Sequence, residues 1–436
     1  MNKPLCIVSS PVDTFSGYGA RSRDFIKALI NIKGEEWDIK LLSQRWGNTP
    51  FGFLDEGLEE EKDLLDRMIP KMDRQPDVWF QITVPNEFTK VGKHINIGIT
   101  AGIETTICDS SWIEGCNRMD LVLVSSNHAK VVFENTKYQS HDKNTNQTVG
   151  MLELTTPVKV LFEGVDLKKY FKYTPPVTDF TKQISSIKED FAFLVVGHWL
   201  PGSFGEDRKN ISYTIKAFLE VFKNKINPPA LILKTNSGPT SIMDKGRILE
   251  KIDNIRNQVN GRLPNIYLIH GDLEDEDIND LYNHVKVKSM ISFTKGEGFG
   301  RPLLEFSITG KPIIASGWSG HIDFLDKDMS TLVGGELKEI DKSAQVKNIL
   351  IEQSQWFKPD DMQVGYSLNE IFNNYKKYLE KSKKQAIYSK QNFSFDKMVE
   401  SLDKILKENT KEVPTQISLN LPKLKKVELP KLKKIN

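Results

Sequence analysis

One stretch in the second half of the chain is predicted to form a strand, a glycine-rich loop, a helix and a second strand. This order of elements restricts the possible folds more than any other feature of the sequence. Residues 287–293 (VKSMISF) are mostly apolar and predict a buried strand. After the loop GEGFG at 296–300, Pro302 suits the first turn of a helix and Gly310 suits its end. The run 311–316 (KPIIAS) predicts the next strand. Because strands joined through a helix run parallel, the segment predicts an α/β sheet.

The glycine loop lies where parallel sheets usually bind ligands. They bind them at the carboxyl ends of strands, where free N–H groups at a helix start attract phosphate. Glycines let a ligand approach the backbone closely. Glu305, near the helix start, is placed to accept two hydrogen bonds from a ribose diol. Two alternatives stay open: a turn that only packs the helix on the sheet, and a Glu305 that only pairs with the helix dipole.

Two common nucleotide-binding loops do not match this segment. A dinucleotide fingerprint needs GxGxxG and an acidic residue at the end of the next strand. Here the loop reads GxGxG, and Ser316, Gly317 and Trp318 end that strand. A Walker loop needs GK followed by Ser or Thr, and no such sequence follows the loop. The segment therefore predicts a phosphate site of another kind.

Residues 296–316 (GEGFGRPLLEFSITGKPIIAS) resemble the donor-site signature of the retaining GT-B glycosyltransferases of the family 4 type, or glycosyltransferase group 1. The usual form of that signature is close to EGFGxPxLEAxAxGxPVIAS. The resemblance implies an α/β fold of the GT-B class, with two Rossmann-like domains facing a central cleft. It also implies a hexosyl- or pentosyltransferase that uses a nucleotide-diphosphate sugar. Retention is implied as well, and the only small molecule expected is this donor, with no metal ion and no other cofactor.

The same resemblance assigns roles to residues of the segment. Glu297 is expected beside the donor sugar, as a catalytic residue, and Glu305 on the nucleotide ribose. Arg301 stands where leucine is commoner, and it either contacts phosphate or faces solvent. The remaining residues of the predicted diphosphate site belong to the loop itself, and they are Gly298, Phe299 and Gly300.

Two further landmarks resemble the family's phosphate site. Residues 207–210 (DRKN) match the RKN form of its basic site, in which Lys209 pairs with the donor phosphates and Arg208 supplies a second positive charge. Gly17 and Gly19 occupy the place of the N-terminal glycine loop that faces the diphosphate across the cleft. A simple helix-capping turn fits these two glycines equally well.

The chain departs from the family pattern at several positions. Histidine 198 stands where the family commonly has arginine. The family usually has a histidine beside the transferred sugar, but the candidate stretches WFQITVPNEF and IGITAGIETT contain none. Gln81, Glu87 and Glu104 are the polar candidates there, with none preferred, and a surface or capping role is expected for His128. Two other hypotheses therefore stay open: a non-catalytic nucleotide-sugar-binding scaffold, and a GT-B phosphorylase or epimerase.

The order of predicted elements divides the chain into two α/β halves, as a length of 436 residues suggests. An N-terminal acceptor-side domain is expected over 1–175 and a donor domain over 189–385, joined by a linker near 171–188. Residues 163–170 (EGVDLKKY) resemble the family's NGVDxxxF before that linker. A helical segment over 386–408 is expected to pack back toward the N-terminal domain.

A basic tail over residues 411–436 follows, and the family does not explain it. It contains the repeat LPKLKKVE and LPKLKKIN, whose prolines interrupt a helix. The simpler interpretation is a solubilising end. The sharper hypothesis is an electrostatic tether to a polyanionic acceptor, with nucleic acid bearing a modified base preferred over an anionic membrane surface. A glycan or lipid-linked acceptor is the alternative to nucleic acid.

Composition excludes several classes of protein. The net charge of +2 indicates no partner by itself. Cys6, Cys108 and Cys116 form no CxxC pair, which argues against a disulfide framework or a thiolate metal site and favours a cytoplasmic location. No apolar stretch is long enough to span a bilayer, and PLCIVSS near the N-terminus is too short for a signal peptide.

Overall fold

The computed structural model describes residues 3–47, 49–54, 61–141, 148–238 and 240–414. Of the basic tail predicted at 411–436, only 411–414 are among them, so the repeat itself lies outside the described residues. None of the described helices combines the length and the apolar character that crossing a bilayer requires.

The first half of the chain alternates strands with helices. Its regular elements, in chain order, are β1 (Leu5–Ser10), α1 (Gly17–Lys33), β2 (Asp38–Ser43), α2 (Lys62–Asp66), β3 (Val78–Ile82), β4 (Ile95–Thr100), α3 (Ser110–Cys116), β5 (Leu121–Val124), α4 (Asn127–Asn135), β6 (Tyr138–His141), β7 (Thr148–Leu152) and β8 (Val158–Val160). One parallel sheet has the strand order β2-β1-β3-β4-β5-β8. The strands β6 and β7 form an antiparallel hairpin outside it.

The second half repeats this pattern. Its elements are α5 (Asp179–Ser185), β9 (Ala192–Val196), α6 (Ile211–Phe222), β10 (Ala230–Lys234), α7 (Ile242–Arg256), β11 (Ile266–Ile269), α8 (Asp275–Asn283), β12 (Val287–Ser292), α9 (Arg301–Ser307), β13 (Ile313–Ser316), β14 (Thr331–Val333), β15 (Gly335–Glu339), β16 (Gln355–Pro359), α10 (Asp361–Asn373), α11 (Tyr375–Asn392) and α12 (Phe395–Asn409). Its parallel sheet has the order β11-β10-β9-β12-β13-β14. An antiparallel hairpin, β15 and β16, lies outside that sheet.

The central strands are buried along their whole length because a parallel sheet is covered on both faces. Every residue of β3 (VWFQI) and β4 (INIGIT) is buried. In the second sheet, β9, β10 and β13 are buried except for the last residue of the first two. The three cysteines are buried too, and none is in a disulfide. The predicted α/β class with two parallel sheets is confirmed.

The C-terminal helices connect the two halves. On α12, Met398 and Leu402 are buried in the same apolar core as Phe25 of α1, in the first half. In contrast, α11 packs on α9, where the hydroxyls of Ser389 and Ser307 are 2.9 Å apart. The chain thus ends its described helices on the half where it began.

Some element boundaries differ from the sequence prediction. The linker predicted near 171–188 contains the helix α5. Thr178 caps this helix by accepting a hydrogen bond from the backbone N–H of Thr181 at 3.1 Å. The strand predicted over 287–293 ends one residue earlier. The helix predicted to run to Gly310 ends at Ser307, and turns complete the connection to β13.

Candidate functional site

Loops at the carboxyl ends of the two sheets lie against each other, and we call the space between them the cleft. Ser125 Oγ, after β5, donates to Gly298 O at 3.2 Å. The backbone N–H of Asn127, at the start of α4, donates to Asp323 Oδ2 at 2.7 Å. These contacts hold the glycine loop, residues 296–300, against the first half.

All three glycines of the glycine loop lack room for a Cβ, and on Gly296 it would lie 2.1 Å from the carbonyl oxygen of Glu104. Gly300 precedes α9 with φ of 96°, in the left-handed region, and a Cβ there would lie 2.9 Å from His321 Cβ. A Cβ on Gly298 would lie 2.8 Å from the carbonyl oxygen of Ala101 in the first half. Phe299 between them is buried and packs on Phe324, with ring centroids 5.0 Å apart. The loop is therefore shaped by close packing on both sides of the cleft.

Glu297 is a buried carboxylate held by two cations. Lys209 Nζ donates to both of its oxygens at 2.7 Å, and Arg208 Nη1 lies 3.7 Å from Oε2. The backbone N–H of Glu297 donates to Ser319 Oγ at 2.9 Å. Burial alone would raise the pKa of Glu297, but the positive charges of Lys209 and Arg208 outweigh it and lower the pKa to about 2. The carboxylate is therefore ionised at neutral pH.

Arg208 connects the glycine loop to the first half. Its Nη1 donates to the carbonyl oxygen of Gly296 at 2.7 Å, and its Nη2 lies 3.1 Å from Glu104 Oε1. Glu104 follows β4, so this ion pair spans the cleft. The two predicted phosphate-binding cations are thus paired with Glu297 and Glu104 in this structure.

Glu305 and Asp24, a residue of the first half, both pair with Arg301. Glu305 Oε1 accepts from Arg301 Nε at 2.8 Å, and its Oε2 accepts from the hydroxyl of Tyr282 at 3.4 Å. Arg301 Nη1 also donates to Asp24 on α1. Burial raises the pKa of Glu305 to about 7, although the charge of Arg301 opposes this. Arg301 is thus oriented by two carboxylates, and its predicted phosphate contact stays a prediction.

A narrow cavity lies between Glu297 and the second sheet. Its volume is about 10 Å³, which is enough for roughly one water molecule. The residues that line it come from β9, β12, the glycine loop and the start of α9, together with the loop before α6, and they are Val196, Lys209, Met290, Ile291, Ser292, Glu297, Gly300, Pro302 and Leu303. All of them belong to the second half, so this cavity lies on the predicted donor side of the cleft.

The first-half glycines lie in a capping turn. Ser16 caps α1, because its Oγ accepts from the backbone N–H of Gly19 at 2.9 Å. A Cβ on Gly19 would lie 2.2 Å from the carbonyl oxygen of Thr14, whereas one on Gly17 would meet nothing within 4 Å. Close packing explains Gly19, and a diphosphate contact of either glycine stays a prediction.

The polar candidates of the first half differ in where they lie. Gln81 Nε2 donates to Glu87 O at 3.0 Å and its Oε1 accepts from Thr89 N at 2.8 Å, so this amide orders its own loop. The carboxylate of Glu87 accepts from Thr83 in the same loop. Of the three candidates, Glu104 is the one that reaches the cleft, through Arg208.

Histidines approach the cleft from both halves. His321 is fully buried, its Nε2 donates to Ser316 O at 2.6 Å, and its Nδ1 has no hydrogen-bond partner among the described residues. Burial lowers the pKa of His198, and the positive charge of Lys209 lowers it further. Burial lowers the pKa of His128 to about 4, and its ring packs edge-on against Trp318 of the second half, 4.6 Å between centroids.

The sequence predicts that His128 lies at a helix start, and it gives no role to His321. The helix start is confirmed, but Ser126 is the capping residue, and the imidazole of His128 lies between the halves. A signal for His321 was present, because it follows β13, and the carboxyl ends of parallel strands carry ligand sites.

Comparison with models of protein families finds no match, and comparison with curated protein sequences finds none either. Solved structures do match. A glycosyltransferase from Rickettsia africae is 15% identical with a TM-score of 0.61, and the match covers 94% of this chain and 99% of that one.

Two more solved structures show the same likeness. Anabaena HepE in complex with UDP and glucose is 13% identical, with a TM-score of 0.60 and coverage of 93% and 100%. A sucrose-phosphate synthase from Thermosynechococcus elongatus is 11% identical, with a TM-score of 0.57 and coverage of 93% and 99%. At these identities the likeness establishes the fold, and the predicted GT-B class is confirmed.

Proposed function

We propose that this chain is a retaining, metal-independent glycosyltransferase of the family 4 type. It moves a hexosyl or pentosyl group from a nucleotide-diphosphate sugar to an acceptor. The observation that carries the proposal is Glu297, a buried carboxylate held by Lys209 and Arg208 in the glycine loop of a GT-B cleft. The solved complex of Anabaena HepE with UDP and glucose supports a nucleotide sugar as the ligand of such a cleft.

The chemistry assigned to these residues is stabilisation of the leaving group. When the bond between the anomeric carbon and the diphosphate breaks, negative charge grows on the diphosphate oxygens. Lys209 and Arg208 provide positive charge there, and the backbone N–H groups of Phe299 and Gly300 provide hydrogen bonds. Glu297 keeps both cations in place before the donor arrives and then lies beside the transferred sugar.

Donor entry requires the cleft to open, because the cations expected to meet the diphosphate are paired with carboxylates, Lys209 with Glu297 and Arg208 with Glu104. The ion pair of Arg208 with Glu104 spans the two halves, so opening breaks it and frees the guanidinium for phosphate. Asp24 and Arg301 are separated by the same movement, which exposes Glu305 to the ribose. Closure after binding excludes water and limits hydrolysis of the donor.

The test is nucleotide release from a panel of donors. The full-length protein is incubated with UDP-, GDP- and ADP-sugars, and release of the nucleoside diphosphate is measured with and without candidate acceptors. Transfer with retained anomeric configuration, read by NMR of the product, is the expected result. A protein that binds the nucleotides and never turns over is a scaffold, and a free sugar phosphate as product indicates a phosphorylase. Either outcome would overturn the proposal.

For the acceptor, we propose a polyanion held by the basic tail, nucleic acid with a modified base being preferred to a glycan or lipid-linked acceptor on an anionic membrane. The proposal rests on the lysines of residues 411–436 in the sequence. Deletion of these residues should leave nucleotide binding intact and weaken retention on heparin and on DNA, with a weaker salt dependence. Unchanged binding to DNA and to anionic vesicles at low salt would contradict the tether.

A further inference from the structure

The hairpin of β15 and β16 belongs to the second half, but it is hydrogen-bonded to the first. Thr106, in the loop that follows β4, donates its backbone N–H to Gln355 O at 2.9 Å. The backbone N–H of Gln355, at the start of β16, donates to Thr106 Oγ1, also at 2.9 Å. Since Gln355 uses its main chain in both bonds, the hydroxyl of Thr106 is the side-chain group on which this attachment depends.

An apolar side chain on the connection between β15 and β16 makes a second contact with the first half. Leu350 packs against the first-half core that contains Phe88 and Trp112. It also packs against the small apolar cluster of the hairpin and its connection, whose largest member is the buried Trp356. Leu350 thus links the hairpin to the first half through apolar burial, and this contact can separate without leaving a polar group unpaired.

On the side of the second half, the hairpin is fixed beside the glycine loop. Lys295, directly before that loop, is 4% exposed, and its Nζ lies 3.2 Å from Asp341 Oδ2 and 4.2 Å from the ring centroid of Trp356. The carbonyl oxygen of Lys295 accepts from Phe357 N at 2.9 Å, and its backbone N–H donates to Arg208 O at 2.8 Å. Hydrogen bonds therefore connect the hairpin, through Lys295, to the backbone of Arg208.

The loop after β4 is attached to the second half at two neighbouring places. Glu104 pairs with Arg208 at 3.1 Å, and Thr106, two residues later, is bonded to Gln355. Both attachments lead to the same second-half backbone, because Lys295 connects the hairpin to Arg208. Movement that separates Glu104 from Arg208 must therefore also take Thr106 away from the hairpin.

We infer that residues 335–359, which we call the clasp, hold the two halves together in the ligand-free protein and release the first half when the cleft opens. The contacts named above suit a reversible attachment, because hydrogen bonds and a single apolar side chain each contribute little net free energy against water. The role of the clasp in donor entry rests on the proposed function, whereas its attachment to the first half does not.

An amide away from the clasp reports on opening. Asn127 is the first residue of α4, and the first N–H groups of a helix have no partner within that helix. Its backbone N–H donates instead to Asp323 Oδ2 of the second half at 2.7 Å. Fast exchange of this amide with deuterium therefore requires the halves to separate, whereas fast exchange within the clasp would follow from local loosening alone.

The test is hydrogen exchange of the full-length protein without nucleotide, read by mass spectrometry on short overlapping peptides. Thr106→Val keeps the shape of the side chain and removes the oxygen that accepts from Gln355. The Asn127 amide should exchange roughly tenfold faster in this variant, since one lost hydrogen bond shifts an opening equilibrium by up to about that factor. Leu350→Ala, a change on the other side of the contact, should also make exchange at Asn127 faster.

Thr156→Val is the matched control, because Thr156 Oγ1 donates to Met119 O at 3.1 Å within the first half. This control should leave exchange at Asn127 at the wild-type rate. If Thr106→Val and Leu350→Ala speed exchange only within the clasp and residues 104–109, with Asn127 unchanged, the inference is overturned and the hairpin is a packing element.

Nucleotide binding tests the role of the clasp in donor entry. Wild type and Thr106→Val are mixed with UDP, GDP and ADP in a stopped-flow instrument, and binding is followed by tryptophan fluorescence. Association should be faster in the variant, because opening precedes binding. Equal association rates would overturn this role. If none of the three nucleotides binds wild type, the proposed function fails, whereas the exchange measurement still decides whether the clasp holds the halves together.

Discussion

Glu297 and Glu305 lie in the same segment and the same cleft, but their surroundings shift their pKa values in opposite directions. Both are buried, and burial alone would raise both pKa values. Lys209 contacts both oxygens of Glu297 and Arg208 lies nearby, so the pKa of Glu297 falls to about 2. Glu305 has one arginine, which it shares with Asp24, and its pKa stays raised at about 7. The number of cations available to a buried carboxylate decides its charge here.

Removing the charge of Glu297 or of Lys209 should lower activity more than any other change. Glu297→Gln and Lys209→Ala should each lower kcat by about 10²–10³-fold, because both residues act beside the departing diphosphate. Nucleotide release with the best donor of the panel measures this. Glu305→Gln is the matched variant, and its loss should fall on KM rather than on kcat. Wild-type kcat in both site variants would show that the roles belong to other residues.

The two glutamates should also give opposite dependences of stability on pH. The pKa of Glu305 is raised from an unfolded value near 4.3, so its protonated form stabilises the fold at low pH. That contribution is lost as pH rises from about 4.3 to about 7, and it amounts to roughly 4 kcal/mol. Glu297 has a lowered pKa, so its contribution is present above about 4.3 and is lost toward pH 2.

Thermal unfolding of Glu305→Gln and wild type from pH 5 to pH 8 tests this difference. The variant should become more stable relative to wild type as pH rises, because it lacks the group that wild type must ionise. Glu297→Gln should show no such relative gain over the same range. Parallel curves for Glu305→Gln and wild type would mean that Glu305 is already ionised at pH 5, like Glu297.

A smaller effect is expected from the predicted ribose contact. Glu305→Ala should weaken nucleotide-sugar binding by about 1.5–3 kcal/mol, because hydrogen bonds to a charged acceptor are lost. Calorimetry measures it, and Glu336→Ala on the exposed strand β15 is the control. An unchanged Kd would remove Glu305 from the ribose site and leave it as a partner of Arg301 only.

The smallest effect is expected from removal of metal ions, which should leave activity unchanged. Lys209 and Arg208 are assigned the charge that a metal ion would otherwise provide. Turnover should therefore be equal with and without EDTA. Activity that disappears in EDTA and returns with magnesium or manganese would show that the two cations are insufficient, and that Glu297 has a different role.

Much of the fold was predictable from local patterns. The apolar runs at β3, β4, β10 and β12 are buried on both faces, and such runs are visible within a few residues of sequence. The glycine loop was recognisable for the same reason, and the left-handed φ of 96° at Gly300 is one that glycine adopts without strain. What could not be predicted was the hairpin of β15 and β16, whose two strands pair across a long connection.

The two α/β halves, the glycine loop and the importance of Glu297, Lys209 and Glu305 could all be predicted from short stretches of the chain. This is so because helix and strand periods, glycine conformation and side-chain chemistry are properties of short segments. Which charges meet depends instead on how the folded chain packs. Arg301 pairs with Asp24, 277 residues away, and Arg208 pairs with Glu104 of the other half. Pairing and desolvation depend on distances of a few ångströms between segments far apart in the chain, and these distances exist only after folding.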